Sequence, residues 1–303
     1  MKKVQLLYNP MAGDRSFKYD LDHFLAKFQE VGYQVHIYRS NAKGEMQKFF
    51  NTFEPEGFEG IFVSGGDGSL NEVINGMLHH NIDIPVGIIP SGTSNDFARY
   101  LNMPDHIEEC VDVFLKRDLK QIDVGKANNQ YFINVCSGGL FTSVSQNIDL
   151  DFKNTLGKMA YYIKGIEQLP NFRPFPLRIT TNEKIVEEEF YVFLVLNSTG
   201  AGGFQKLAKK AAIDDGLFDF VAIRACSLHE IPRLFIQILR GEHLSEKNIL
   251  FLQGSEFNIE CLSEEDCFYE SDLDGEKGPR MPLHIQVYPK MLKVFTNENV
   301  EDI

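Results

Sequence analysis

Short apolar runs alternate with stretches of helical spacing along the first third of the chain. Residues 4–8 form a compact apolar run that predicts a buried strand, whereas Phe17, Leu21, Phe24, Leu25 and Phe28 share one helical face that stops at Gly32. Residues 33–38 alternate with strand period, 46–50 suit a short helix, and 61–63 form another buried run. Leu70, Val73, Ile74 and Met77 predict a further helix, 84–89 a buried strand, and 91–101 a turn leading into a helix. Strands alternating with helices predict an α/β domain whose parallel sheet is covered on both faces.

From about Leu119 the texture changes. Short alternating runs at 121–124, 131–135, 177–180, 190–196, 218–223, 257–261, 267–270 and 284–288 predict a mostly antiparallel β-sandwich. Helical patterns at 155–169 and 228–239 and a proline-rich stretch at 170–176 interrupt it.

Composition changes this picture little, and charge changes it more. A chain of 303 residues with 43% hydrophobic and 24% charged residues is ordinary for two globular domains. A formal charge of −13 argues against nucleic acid as a partner and weakens any broad attraction to anionic membranes. Two basic groups, Lys153, Lys158 and Lys164 and then Lys206, Lys209 and Lys210, are consistent with solvated surface. The 5 cysteines show no CxxC spacing, and the histidines no zinc spacing, so reduced thiols in a cytoplasmic protein are expected. The apolar run after Lys3 ends at Asn9 and Pro10, too soon for a signal core or a span, and no other stretch is long enough. Any work on lipid is therefore expected from the water side.

Candidate chemistry lies in the loops. Gly65, Gly66, Asp67, Gly68 and Ser69 join a buried strand to a helix start, where free backbone N–H groups and the helix dipole suit a phosphate. Asp67 would repel a polyphosphate unless a divalent cation lay between them, so the segment predicts a metal-nucleotide loop. A tight turn with Asp67 as a simple cap stays open. It is not a Walker loop: Gly125-Lys126 and Gly157-Lys158 have Lys120 and Phe152 where the first glycine belongs. A dinucleotide fingerprint read from Gly66 fails at Asn71, and the protein-kinase tripeptides are absent. A second polar loop, Ser91, Gly92, Thr93, Ser94, Asn95 and Asp96, offers hydroxyls and an amide to phosphates and ribose, although such residues also make good helix caps. Asn9, Pro10, Met11, Ala12 and Gly13 make a third turn after the first strand. Ligands of parallel sheets bind at the carboxyl ends of strands, so the loops are expected on one edge.

In this order, Asn9-Pro-x-Ala-Gly13, Gly65-Gly-Asp-Gly-Ser-Leu-Asn-Glu72 and Pro90-Ser-Gly-Thr-x-Asn-Asp-Phe-Ala-Arg99 resemble the diacylglycerol-kinase catalytic domain of soluble bacterial lipid kinases and of sphingosine and ceramide kinases. The resemblance continues through Ile213-Asp-Asp-Gly-Leu-Phe-Asp219 and Leu273-Asp-Gly-Glu276, and so covers nearly the whole chain. Ser69 stands where threonine is more usual, and it keeps the hydroxyl.

The resemblance implies three parts: residues 1–123 as an ATP-binding α/β domain like those of phosphofructokinase and NAD kinase, 124–290 as a β-sandwich that receives lipid, and 291–303 as a segment returning to the first domain. It implies nucleotide contacts at Asn9, Pro10, Met11, Ala12, Gly13, Ser40, Gly66, Asp67, Gly68, Ser69, Leu70, Asn71, Glu72 and Thr93. Asp67 would hold Mg²⁺ through water, and Glu276 would be the general base, with Gly275 permitting its turn. Asp272, Asp274 and Glu276 also suit a plain acidic surface turn, and Lys277 to Arg280 lack the later ligands of an EF-hand. Ala212, Asp215 and Leu217 are implied ligands of a structural Mg²⁺, although Asp-Asp-Gly is equally an ordinary turn.

The expected activity is ATP-dependent phosphorylation of a lipid hydroxyl, diacylglycerol first, by a cytoplasmic protein transiently at the inner face of the membrane. The family also suggests a homodimer. An NAD-kinase-like enzyme is the alternative, and the segment 90–99 and the Asp-Gly-Glu turn argue against it. A non-catalytic nucleotide or lipid sensor is another, disfavoured by retention of Asp67, Asn95 and Glu276. Among 25 phenylalanines, Phe141 and Phe152, with Tyr161 and Tyr162, could line a lipid cleft or simply pack a core.

Overall fold

The computed structural model describes residues 2–139, 173–263 and 270–297. The chain divides into two compact units, Met1–Val124 with Pro289–Ile303, and Gly125–Tyr288. The helical pattern expected at 155–169, the aromatics Phe141, Phe152, Tyr161 and Tyr162, the first lysine group and most of the 267–270 run lie outside the described residues.

The first unit alternates as its sequence pattern requires: β1 (Lys2–Tyr8), α1 (Phe17–Glu30), β2 (Tyr33–Arg39), α2 (Glu45–Phe49), β3 (Phe58–Gly65), α3 (Asp67–His79), β4 (Val86–Pro90), α4 (Asp96–Tyr100), α5 (Ile107–Lys116) and the start of β5 (Leu119–Ala127). β4, β3, β1 and β2 lie side by side and all pair in parallel. α1 turns Phe17, Phe24 and Phe28 inward, and Phe62 of β3 meets Phe28 at 5.0 Å and Phe114 of α5 at 4.5 Å between ring centroids. Burying each such ring stabilises the fold by about 2–3 kcal/mol. The pattern reading did not anticipate α5, although Cys110, Val111, Val113 and Phe114 form its buried face. Ten residues carry too few apolar repeats to stand out from the loop before them.

The second unit is antiparallel. It contains the end of β5, β6 (Gln130–Phe132), β7 (Val135–Gly139), β8 (Phe175–Thr180), β9 (Ile185–Leu196), β10 (Phe218–Arg224), α6 (Ile231–Arg240), β11 (Ile249–Gly254), β12 (Glu256–Cys261), β13 (Glu270–Leu273), β14 (Glu276–Arg280) and the start of β15 (Leu283–Phe295). The order runs β14-β13-β7-β9-β8-β12-β15, with β10 between β9 and β11. Along one edge β9 pairs first with β8 and then with β7, while Phe190 to Leu196 pair with β10. Strand alternation divides the side chains between two clusters. Phe220 and Ala222 enter the main core with Phe193, Phe218 and Phe257, and Val221 joins a second cluster on the opposite face with Leu196, Leu207 and Leu234 of α6.

The run expected as one strand at 131–135 is two, because the backbone around Asn134 turns to a carboxylate described below. β11 and β14 were not anticipated, and β14 (EKGPR) has no apolar alternation of its own. Cys110, Cys136 and Cys226 are free thiols. Cys261 is disulfide-bonded, which corrects the expectation of uniformly reduced cysteines.

The end of β15 belongs to the first unit. Val294 pairs with Val86 in parallel, and the Phe295 ring lies 5.5 Å from Phe62. The Lys290 N–H donates to Asp123 Oδ1 at 2.8 Å, and the Thr296 N–H to Asp118 O at 3.1 Å.

Candidate active site

Register places the loops. Tyr8 pairs with Ser64 and Arg39, and Gly65 with Pro90, so Asn9, Ser40, Gly66 and Ser91 all leave the parallel sheet at the same level of its carboxyl edge. Hydrogen bonds then fasten the loops together. The Asn9 N–H donates to Ser64 O at 2.9 Å, Asn9 Nδ2 donates to Ser69 Oγ at 3.3 Å, and the Ser91 N–H donates to Gly65 O at 3.1 Å. The hydroxyls of Ser64 and Ser91 share a bond of 2.8 Å.

Contact is close at Gly66 and Gly92. A Cβ on Gly92 would lie 2.4 Å from Gly66 Cα, so only glycine lets the backbones meet. Gly13, at φ +50°, is held similarly against Ser91 O, which a Cβ would approach to 2.3 Å. Asn95, in the left-handed region, closes its own loop: Oδ1 accepts the Gly92 N–H and Nδ2 donates to Gly92 O, both at 2.9 Å.

α3 starts at this junction. Gly66 caps it in an extended conformation, no side chain caps its first turn, and the positive end of the helix dipole sits among the loops. Asp67 lies in that first turn, partly exposed, and Oδ1 accepts the Phe97 N–H at 3.5 Å. Thr93 and Met11 are exposed, and Pro10 and Ala12 are partly so.

Other residues of the implied nucleotide set also hold the scaffold. Glu72 accepts the Gly44 N–H at 2.6 Å and the Met46 N–H at 3.2 Å, holding the start of α2. Leu70 is in the core, buried Asn71 accepts from Asn75 Nδ2, and the buried Ser40 hydroxyl donates to Tyr8 O at 3.4 Å.

The acidic turn of the second unit is not a uniform surface feature. Asp274 and Gly275, at φ 53° and 87°, form the reversal between β13 and β14. Buried Asp274 accepts the N–H groups of Ile133, Asn134 and Val135, each at 2.9 Å, and Asp272 accepts the Gly275 N–H at 2.8 Å. Glu276, partly exposed, opens β14. Burial, reinforced by the charges of Asp272 and Asp274, pushes the Cys136 thiol well up, so it is neutral. Sequence reasoning missed the polar support beneath this turn. Asn134 Nδ2 donates to Gly200 O at 3.1 Å, Ser198 bonds the Asn134 side chain, and Asn197 Nδ2 donates to Ile133 O at 2.8 Å. The available signal was amides set inside apolar runs.

Residues 213–217 form a tight turn before β10, in which Asp215 Oδ1 accepts the Leu217 N–H at 3.0 Å. Asp219, 2% exposed, accepts from Gln253 Nε2 at 3.1 Å, and burial followed by the Asp215 charge raises its carboxyl to about 6. Among the described residues no group of three His, Cys, Asp or Glu side chains is arranged to hold a metal ion. Mg²⁺ commonly needs only one or two carboxylates beside water and phosphate oxygens, so a single half-exposed Asp67 at a helix start suits it.

A parallel α/β unit with loops fused at a helix start is thus followed in the chain by an antiparallel β unit. Residues 3–127 match the family described as diacylglycerol kinase catalytic domain, and residues 134–296 match the YegS C-terminal NAD kinase beta sandwich-like domain. A diacylglycerol kinase of Bacillus subtilis (strain 168) is 33% identical over 305 residues, covering 100% of this chain and 99% of its own. One of Staphylococcus carnosus (strain TM300) is 32% identical over 301 residues, covering 99% and 97%. The crystal structure of a diacylglycerol kinase from Bacillus anthracis str. Sterne aligns with a TM-score of 0.74 at 27% identity, covering 99% and 98%. The chain belongs to the diacylglycerol kinase family, whose enzymes transfer a phosphoryl group to an alcohol.

Proposed function

We propose that the protein is an ATP-dependent lipid kinase that transfers the γ-phosphoryl group to the hydroxyl of diacylglycerol, giving phosphatidic acid. The observation that carries the reading is the junction of Gly66, Gly92 and Gly13 around a helix start that no side chain caps, where the helix dipole and the first-turn N–H groups favour phosphate. In this reading residues 1–123 with 291–303 take the nucleotide and 124–290 take the lipid. The loop from Asn9 to Gly13, Ser40, the Gly65–Glu72 segment, Thr93 and the Asn95-closed loop position the nucleotide. Asp67 would hold Mg²⁺ through water, and that ion would neutralise phosphate charge. Ala212, Asp215 and Leu217 would hold a second, structural Mg²⁺.

Glu276 accepts the proton of the acceptor hydroxyl as its oxygen bonds to the γ-phosphorus and the bond to the β–γ bridging oxygen breaks, releasing ADP. Buried Asp272 and Asp274 hold the turn that presents it. The protein works from the cytoplasmic side as a peripheral visitor to the membrane and as a homodimer, the latter checked by light scattering.

The test is transfer of label from γ-labelled Mg-ATP to a panel of diacylglycerol, phosphatidylglycerol, sphingosine, a polyprenol and NAD, the lipids in mixed micelles. Diacylglycerol is the expected product-former. Label on NAD alone overturns the reading, and label on another lipid alone overturns its choice of substrate.

A further inference from the structure

Helix α6 (Ile231–Arg240) carries more apolar surface than the second unit uses. At about 100° per residue, Leu234 and Ile238 fall side by side, and these join the cluster of Leu196, Val221 and Ile249. Phe235, Leu239 and Ile236 continue the apolar arc to roughly 200° from Leu234. They are only partly covered, Leu239 being 36% exposed. Partly exposed Phe204, whose ring lies 5.8 Å from that of Phe235, extends the patch beyond the helix.

The rim of this patch is basic. A Cβ on Gly241, at the end of α6, would lie 2.7 Å from Lys206 Cβ and 2.3 Å from Lys209 Cε, so both stems pack there. Lys206, Lys209, Lys210 and Arg240 are exposed, and among the described residues none has an ion-pair partner. Neighbouring cations are neutralised, Arg233 by Glu246 at 3.3 Å and Lys247 by Glu230 at 2.9 Å, and exposed Glu242 offsets one of the unpaired four. A helix C-terminus attracts a cation or two, but it gives no reason for three apolar side chains on the outward arc. The gathering also runs against a chain charge of −13.

We propose that this face docks the protein on an anionic bilayer, with Phe235, Ile236 and Leu239 entering the headgroup boundary and the four cations meeting lipid phosphates. The proposal rests on the lipid-kinase reading, which puts the substrate in a bilayer. Charge selects this occupant over a second copy of the chain, because a two-fold interface would set the basic rim against itself.

The test is flotation of the full chain with vesicles of phosphatidylcholine alone or with phosphatidylglycerol as about a third of the lipid. Two variants accompany it: Phe235→Ser with Leu239→Ser, and Lys206→Glu with Lys209→Glu and Lys210→Glu. Wild type is expected to float with anionic vesicles only and to be released by salt. Each variant should bind at least about tenfold more weakly while phosphorylating micellar diacylglycerol at the wild-type rate. Flotation of both variants like wild type, or no flotation of wild type, overturns the proposal. So does loss of a dimer in the variants, by light scattering, with flotation unchanged. Flotation as expected without phosphorylation of any micellar lipid upholds the surface and overturns the kinase reading instead.

Discussion

Asp274 and Glu276 stand two residues apart, and burial separates their roles. Asp274 is 5% exposed and satisfies three consecutive main-chain donors, so Asp274→Ala should cost about 3–5 kcal/mol in urea denaturation by leaving those donors unpaired. Glu276 is the proposed base, and Glu276→Gln should leave the unfolding midpoint nearly unchanged. Its kcat should fall by about 10²–10⁴ with little effect on ATP affinity, as steady-state kinetics and calorimetry would show. Equal losses of rate and stability in Glu276→Gln would assign it to the scaffold with Asp274. The spacing of acids was legible in the sequence, but which of them is structural was not. That depends on donors 139 to 141 positions away, which no local pattern reports. Glu72 makes a related point, since its motif suggests a ligand contact and only the fold shows that its carboxylate also caps α2.

Elements with their own periodicity were legible, and those that borrow stability from neighbours were not. α1, β3 and α3 announce themselves through apolar spacing, whereas β14 is a strand only because the Asp274-Gly275 reversal lays it beside β13. β9 extends further back than the run at 190–196 suggested, because its first half is polar on the side that faces water and is held by β8. The loop junction was legible as three separate turns, and register made them one site. That junction tolerates no added atom: Gly92→Ala would force Gly66 and Gly92 apart, and affinity for a non-hydrolysable ATP analogue should drop at least about tenfold by calorimetry. Unchanged affinity would remove the junction from the nucleotide site.

At the scale of the molecule, net charge read from composition gave the right average and concealed its distribution, because unpaired lysines beside α6 are set among acids elsewhere in the chain. Global stability carries a titration of its own. His243 is fully buried with Nε2 bonded to Leu207 O at 3.0 Å, and burial lowers its pKa below the ordinary 6.5, against the pull of its backbone hydrogen bonds. The folded imidazole is neutral while the unfolded chain takes up a proton near 6.5, so the unfolded state binds more protons below that pH. The His243 contribution to stability should therefore be whole above 6.5 and fall as the pH drops toward the lowered folded value, by up to about 1.4 kcal/mol per pH unit, while Asp219, raised to about 6, contributes a slope of opposite sign below that pH. Urea midpoints of wild type and His243→Gln measured against pH isolate this limb as their difference, which should open as the pH falls below 6.5, and a constant difference would remove His243 from the titration.

β15 starts in one unit and ends in the other, and this fixes an order of events at the ribosome. The strand that pairs with β4 and brings Phe295 onto Phe62 is translated only after every residue from Gly125 to Tyr288. The β4 edge of the nascent amino-terminal unit therefore stays without this partner while the whole second unit emerges.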